Sequence, residues 1–141
     1  MEQAGLTQKI IGCAMKVHRT LGVGFLESVY QNALAYELRK AGLATECEKK
    51  IQVFYAGVVV GDFVADMLID GRVLIENKAV RTLLLAHELQ LDNYLTATGI
   101  DIGILFNFGA QSLEVRRKSR TFRPKENIPR QNLPDEQDEN F

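Results

Sequence analysis

Two acidic residues and a lysine stand in an otherwise apolar stretch near the middle of the chain. Asp66 is followed after nine residues by Glu76, and Lys78 comes two positions later. A charge within apolar strands is costly unless it is paired or bound to a metal. On a strand, Glu76 and Lys78 would project from the same face. Two carboxylates beside a lysine suit Mg²⁺- or Mn²⁺-dependent hydrolysis of phosphodiester bonds.

A plain ion pair is the alternative interpretation of these three residues. For so short a pattern alone, a bond between Lys78 and either acid on a solvated sheet face would be the commoner case. A second motif upstream favours chemistry, because Gly24, Glu27 and Tyr30 give the pattern G-x-x-E-x-x-Y. The sequence has no CxxC or HxxEH motif that would favour zinc.

Together these motifs resemble the GxxExxY family of the PD-(D/E)XK nuclease superfamily, near its RecB-like exonuclease branch. The resemblance covers roughly residues 8 to 122. It also rests on the segments 17–22, 36–38, 65–66, 76–79, 90–95 and 107–109. It implies a restriction-endonuclease-like α/β core, with a mixed sheet flanked by helices. It further implies a metal-dependent nuclease that digests DNA exonucleolytically.

The resemblance also implies roles for single residues. Asp66 and Glu76 would bind Mg²⁺ or Mn²⁺, and Glu27 would be a third ligand or would orient a bound water. Lys78 would position the attacking water and stabilise charge on the phosphorane. Four other residues would have accessory roles. Tyr30 would either hydrogen-bond to a site carboxylate or simply pack, and Gln90 and Tyr94 would share one face of a helix. His18 is a candidate metal ligand, although a lone histidine on a helix is more often a hydrogen-bonded structural residue.

A register condition applies to any site shared by Asp66 and Glu76. Neighbours along a strand alternate between faces, and directly opposed residues share one. A two-residue hairpin loop would therefore place the two acids on opposite faces of the sheet. A three-residue loop over 70–72, with positive φ at its second or third residue, would pair Ile69 with Val73 and set Asp66 opposite Glu76.

Periodicity predicts the element order α-α-β-β-β-α-β-β in a single domain over residues 1–123. Apolar residues at three- and four-residue steps predict helices over 6–21, 26–41 and 83–98. Strand patterns are predicted around 51–55 and over 58–69, 73–80, 100–108 and 112–120, the fourth buried on both faces and the last at an edge. Residues 124–141 are polar, contain all three prolines and are predicted to be a disordered tail.

The composition is that of a soluble globular domain. The chain has 141 residues, of which 46% are hydrophobic and 25% charged, and a net charge of −1. No apolar run approaches the roughly 18 residues of a membrane span, and no signal peptide is visible. Cys13 and Cys47 do not suggest a disulfide framework. These features predict a cytoplasmic protein with no membrane partner.

Basic residues concentrate near the C-terminus. Residues 112–130 contain seven basic and two acidic residues, whereas 131–141 contain four acidic residues and no basic ones. Such a segment could bind nucleic acid, although a charge-guarded edge strand would look the same. The candidate phosphate-binding residues are Arg116, Arg117, Lys118 and Arg120.

Other functions stay open from the sequence alone. One is a catalytically weak nucleic-acid-binding or assembly module on a nuclease fold, and another is an RNA-directed nuclease. A single short domain could also act as a homo-oligomer or beside a protein partner. No appended helix-turn-helix or zinc finger is recognisable, so sequence-specific cleavage is not expected.

Overall fold

A computed structural model describes residues 3–120 as a five-stranded sheet with helices on both faces. The helices and strands follow the predicted order: α1 (Gln3–Leu21), α2 (Glu27–Lys40), β1 (Thr45–Tyr55), β2 (Val58–Ile69), β3 (Val73–Lys78), α3 (Leu85–Thr98), β4 (Ile102–Asn107) and β5 (Glu114–Ser119). Residues 121–123 of the predicted domain and the predicted disordered tail, 124–141, lie outside the described residues.

The strands lie in the order in which they occur in the chain, from β1 at one edge to β5 at the other. Only β3 and β4 are parallel, and α3 makes the crossover between them, as parallel neighbours require. The other three pairings are antiparallel. All six residues of β4 are buried, which confirms the prediction of a strand covered on both faces. The predicted mixed α/β sheet flanked by helices is therefore confirmed.

Each face of the sheet is covered by its own helical layer. The helices α1 and α2 pack on one face, and α3 packs on the other. Gly103 of β4 lets α3 approach closely, because a Cβ there would lie 2.9 Å from Leu91 Cδ1. Within residues 3–120, no helix combines the length and the apolar character needed to cross a membrane.

The hairpin of β1 and β2 is longer than predicted. β1 begins at Thr45, about six residues before the apolar alternation that predicted it. The first half of the strand alternates half-buried with exposed residues, most of them polar, so the sequence shows no apolar period there. Ala56 and Gly57 form the hairpin turn with φ of 53° and 77°, values that suit a two-residue type I′ loop. The residues from Tyr55 to Asp62 are all exposed, so this end of the hairpin extends past the helical layers.

Candidate active site

The register of β2 and β3 meets the condition for a shared acidic site. Ile69 pairs with Val73 across a three-residue loop, 70–72, whose first two residues have φ of 53° and 66°. The predicted three-residue loop and the pairing of Ile69 with Val73 are thus confirmed. Positive φ occurs at the second loop residue, as one of the two expected positions, and also at the first, which was not expected. Continued along the strands, this register sets Asp66 opposite Glu76.

The two strands separate at these acids. The backbone pairing of β2 and β3 ends at Met67 and Ile75. Beyond it, the backbone N–H of Asp66 donates to Glu76 Oε2 at 2.9 Å, and the N–H of Asn77 donates to Asp66 Oδ2 at 2.7 Å. Each carboxylate therefore replaces a carbonyl acceptor of the ladder. The result is a fork between the strands, with both carboxylates fixed where it opens.

Burial makes the negative charge at this fork unfavourable. Glu76 is only 4% exposed. Desolvation, followed by the charge of Asp66, raises the pKa of Glu76 to about 8. Desolvation also raises the pKa of Asp66, against the lowering effects of the Asn77 N–H and of Lys78. A cation bound beside the two carboxylates would relieve both effects.

Lys78 is near both carboxylates without forming an ion pair. Its positive charge lowers the pKa of Asp66 and of Glu76. Within residues 3–120, however, no carboxylate oxygen lies within the 4.0 Å of Lys78 Nζ that defines an ion pair. The structure thus disfavours the alternative in which Lys78 only neutralises Glu76. Its ammonium group is available for a substrate oxygen or a water.

The two other predicted metal ligands differ in their placement. Glu27 is the first residue of α2, and its charge contributes to raising the pKa of Asp66, so it lies within electrostatic reach of the fork. His18 instead hydrogen-bonds the Ala110 carbonyl through Nε2 at 2.9 Å, which gives it a structural partner. In the part of the chain that the structure describes, no three His, Cys, Asp or Glu side chains are grouped closely enough to hold a metal.

Tyr30 packs and bonds to the backbone, and does not bond to a carboxylate. Its hydroxyl donates to the Gly22 carbonyl at 2.6 Å and accepts from the Phe25 N–H at 3.2 Å. Its ring stacks on Phe108 with centroids 4.9 Å apart. Of the two predicted alternatives, the structure realises the packing one. Tyr30 fixes the loop that precedes Glu27.

Tyr94 approaches the carboxylates from the α3 side. Its ring stacks on Phe63 at a centroid distance of 3.7 Å. Burial raises the pKa of Tyr94, and the charges of Glu76 and Asp66 raise it further. Gln90, one turn earlier on α3, is exposed. Of the two predicted accessory residues on α3, Tyr94 is thus within electrostatic reach of the fork.

Sequence reasoning did not identify Glu48 on β1. It has a positive φ of 55° and accepts a hydrogen bond from Gln31 Nε2 of α2 at 2.7 Å. Its charge raises the pKa of both Asp66 and Glu76. Nothing in the sequence pattern distinguishes it from the other charged residues of this edge strand. Glu48 brings a third acidic group within electrostatic reach of the fork.

Asn107 and Gly109 hold the backbone that follows the lysine, a role that the sequence did not reveal. Asn107 Oδ1 accepts hydrogen bonds from the N–H groups of Val80 at 2.9 Å and Gly109 at 3.0 Å. A Cβ at Gly109 would lie 2.4 Å from the Val80 carbonyl oxygen, so only glycine fits there. The available signal was an Asn-x-Gly sequence that begins at the last residue of an apolar strand.

Most of the predicted phosphate-binding residues on β5 and directly after it are already paired with acids. Arg116 lies 3.8 Å from Glu88, and Lys118 lies 3.3 Å from Glu88 and 3.4 Å from Asp92, both acids on α3. Arg120 bonds to Asp101 at 2.8 Å. Arg117 is exposed and has no acidic partner within residues 3–120. The structure therefore favours the charged edge strand over a phosphate-binding strip.

We expect Lys118→Ala to lower stability rather than nucleic-acid affinity. The lysine links β5 to two acids of α3, and a partly exposed network of this kind contributes about 0.5–1 kcal/mol. Urea denaturation should report this loss, with Arg117→Ala as the unpaired control on the same strand. A fall in the salt dependence of DNA binding for Lys118→Ala, at unchanged stability, would contradict the structural role.

Comparisons with known proteins agree with this architecture. The family model described as the PD-(D/E)XK nuclease superfamily matches residues 4–118. Among solved structures, the chain titled "Crystal structure of SSO0001" is similar, with a TM-score of 0.54 at 20% identity. The alignment covers 73% of this chain and 60% of that chain, and at such identity it concerns the fold alone. No curated protein matches the sequence.

Proposed function

Since the chain belongs to the PD-(D/E)XK nuclease superfamily, we propose that it is a metal-dependent nuclease that hydrolyses DNA exonucleolytically. Membership bears out the coarser prediction of a PD-(D/E)XK nuclease fold, and it supports a nucleic-acid substrate and a divalent metal as parts of the proposal. The narrower placement in the GxxExxY family and the RecB-like branch belongs to the proposal. It is supported by the G-x-x-E-x-x-Y motif at 24–30 and by the segment 90–95 of α3.

The observation that carries the proposal is the fork itself. Two carboxylates, the buried Glu76 and the half-buried Asp66, are each fixed by a backbone N–H of the opposite strand. Lys78, near both, has no ion-pair partner among residues 3–120. A purely structural cluster would be expected to neutralise its charges internally. Here desolvation, followed by the charge of Asp66, raises the pKa of Glu76 to about 8 in spite of Lys78, so a bound cation would be needed to keep both carboxylates ionised near neutral pH.

The donor set suits a hard divalent cation. Mg²⁺ is typically held by one or two carboxylates and keeps several waters, so Asp66 and Glu76 would be sufficient as direct ligands. Glu27 and Glu48 lie near enough to affect the pKa of Asp66, and either would orient a water at the metal. When bound, the cation supplies Lewis-acid polarisation of the phosphoryl group and a water of lowered pKa.

The chain's own side chains would stabilise the charge that develops on the phosphoryl oxygens. Lys78 would donate hydrogen bonds to a nonbridging oxygen or to the attacking water, and this interaction strengthens as negative charge accumulates. The backbone bonds to Asp66 and Glu76 keep both carboxylates in place, so the site needs no reorganisation during the reaction. Tyr94, stacked on Phe63, would limit solvent access from the α3 side of the fork.

A substrate panel tests the proposed function. Wild-type protein would be incubated with circular plasmid, linear duplex, single-stranded DNA and single-stranded RNA, with Mg²⁺ or Mn²⁺ and with a chelator. We expect metal-dependent release of short products from linear DNA, with circular DNA left intact. Cleavage of RNA alone would make the protein an RNA-directed nuclease. Binding without cleavage of any substrate would support the catalytically weak module instead.

A further inference from the structure

Phe25 and Leu26 form an exposed apolar loop tip directly before Glu27. Their side chains are 48% and 77% exposed, and Leu26 is the most exposed large hydrophobic residue in the described part of the chain. The loop from Gly22 to Leu26 carries no charged residue. Exposure of this degree on two adjacent large side chains indicates a contact surface.

The loop is held rigidly. The Tyr30 hydroxyl bridges it by donating to the Gly22 carbonyl at 2.6 Å and accepting from the Phe25 N–H at 3.2 Å. The Phe25 ring also meets the Tyr30 ring edge to face, at 6.1 Å between centroids and 77° between planes. The exposed side chains are thus presented on a fixed backbone, which reduces the entropy lost on binding.

The same contacts connect the loop to the fork. Tyr30 stacks on Phe108, and the Phe108 N–H donates to the Lys78 carbonyl at 2.8 Å. Glu27, the residue after Leu26, acts electrostatically on Asp66. The loop tip is therefore next in the chain to a residue within electrostatic reach of the fork, and Tyr30 and Phe108 link it to the backbone of Lys78.

We propose that Phe25 and Leu26 contact an unpaired base beside the scissile phosphate, so that the site takes nucleic acid with a single-stranded segment. This inference rests on the proposed nuclease function. An uncharged aromatic and aliphatic tip offers nothing to a phosphate, whereas every nucleobase has a π-face that stacks on such groups. The bases of an intact duplex are already stacked on one another and cannot reach this tip.

The chain contains no tryptophan, so a single introduced indole reports on this contact. The Phe25→Trp variant would be made in a Lys78→Ala background and titrated, without divalent metal, with single-stranded DNA, single-stranded RNA and duplex DNA of one sequence. We expect both single strands to quench its emission, and the duplex to leave it unchanged. Tyr36→Trp is the matched control, because Tyr36 is 62% exposed in the second half of α2, away from the loop tip.

Affinity gives a second readout. By fluorescence anisotropy, Phe25→Ala should weaken single-strand binding about 5- to 100-fold, the range for the loss of one stacked base, and leave duplex binding unchanged. Equal losses for single strand and duplex, or equal quenching in the Tyr36→Trp control, would overturn the proposal. So would a Phe25→Ala variant that turns a dimer into a monomer, because the tip would then be a protein interface.

Failure of this inference and failure of the proposed function are distinguishable. If wild-type protein hydrolyses nucleic acid and the Phe25→Trp emission stays unchanged at saturating single strand, only the base contact is refuted. If the emission is quenched and no substrate is hydrolysed with any metal, the base contact stands and the nuclease function is refuted.

Discussion

Replacing Lys78 with alanine is expected to lower the rate of phosphodiester hydrolysis by about 10²- to 10³-fold, the usual effect of removing one donor that stabilises transition-state charge. The structure supports a chemical role because the lysine has no ion pair within residues 3–120 and still acts electrostatically on Asp66 and Glu76. The measurement is the initial rate on the best substrate of the panel, at saturating metal.

The fold should survive this substitution. Lys78 is half-buried, and its removal breaks no side-chain hydrogen bond within residues 3–120, so the melting temperature should change little. Lys50→Ala is the matched control, because Lys50 is an exposed strand lysine on β1 without an acidic partner in the same residues. Wild-type cleavage by purified Lys78→Ala protein would refute the proposed mechanism, whatever the control shows.

The parity of the β2–β3 hairpin explains why much of this site was predictable from the sequence. Face alternation along a strand is strict, so the demand that Asp66 and Glu76 share a site fixes the loop length and the pairing of Ile69 with Val73. That pairing is observed. The element order was equally accessible, since the helices and strands differ clearly in hydrophobic period.

The details that depend on tertiary contacts were not predictable. No sequence period indicates that β2 and β3 separate at Asp66, or that their carboxylates bond to the opposite backbone. The basic residues of β5 look available in the sequence, because Glu88 and Asp92 are about 25 to 30 positions away and meet Lys118 only when α3 packs beside β5. Tyr30 was undecided for the same reason, since its partners are set by the loop conformation.

Metal-free protein is expected to lose stability as the pH rises from about 4.5 to about 8. The folded state raises the pKa of Glu76 from its ordinary value of 4.5 to about 8, so between these limits it binds a proton that the unfolded chain has released. The free energy of unfolding therefore decreases with pH across this window. The contribution of Glu76 to stability is fully present below the window and is lost above it. Asp66 acts in the same direction. The total should reach a few kcal/mol, measured by urea denaturation in a chelator.

Added Mg²⁺ or Mn²⁺ should reverse this loss, since a ligand of the folded state stabilises it by about 2.7 kcal/mol at a hundredfold excess over its dissociation constant. The metal effect should grow with pH, because the cation binds the deprotonated carboxylates. Glu76→Gln should remove most of the pH dependence and most of the metal effect. Asp66→Asn should reduce the metal effect to a similar degree and the pH dependence less, because desolvation, rather than the charge of Asp66, is the larger cause of the raised pKa of Glu76. Glu46→Gln, at an exposed glutamate of β1, is the control that should keep both. An equal metal-induced shift in wild type and Glu76→Gln would place the metal away from the fork, and a flat pH profile in the chelator would show that the two carboxylates are solvated rather than buried.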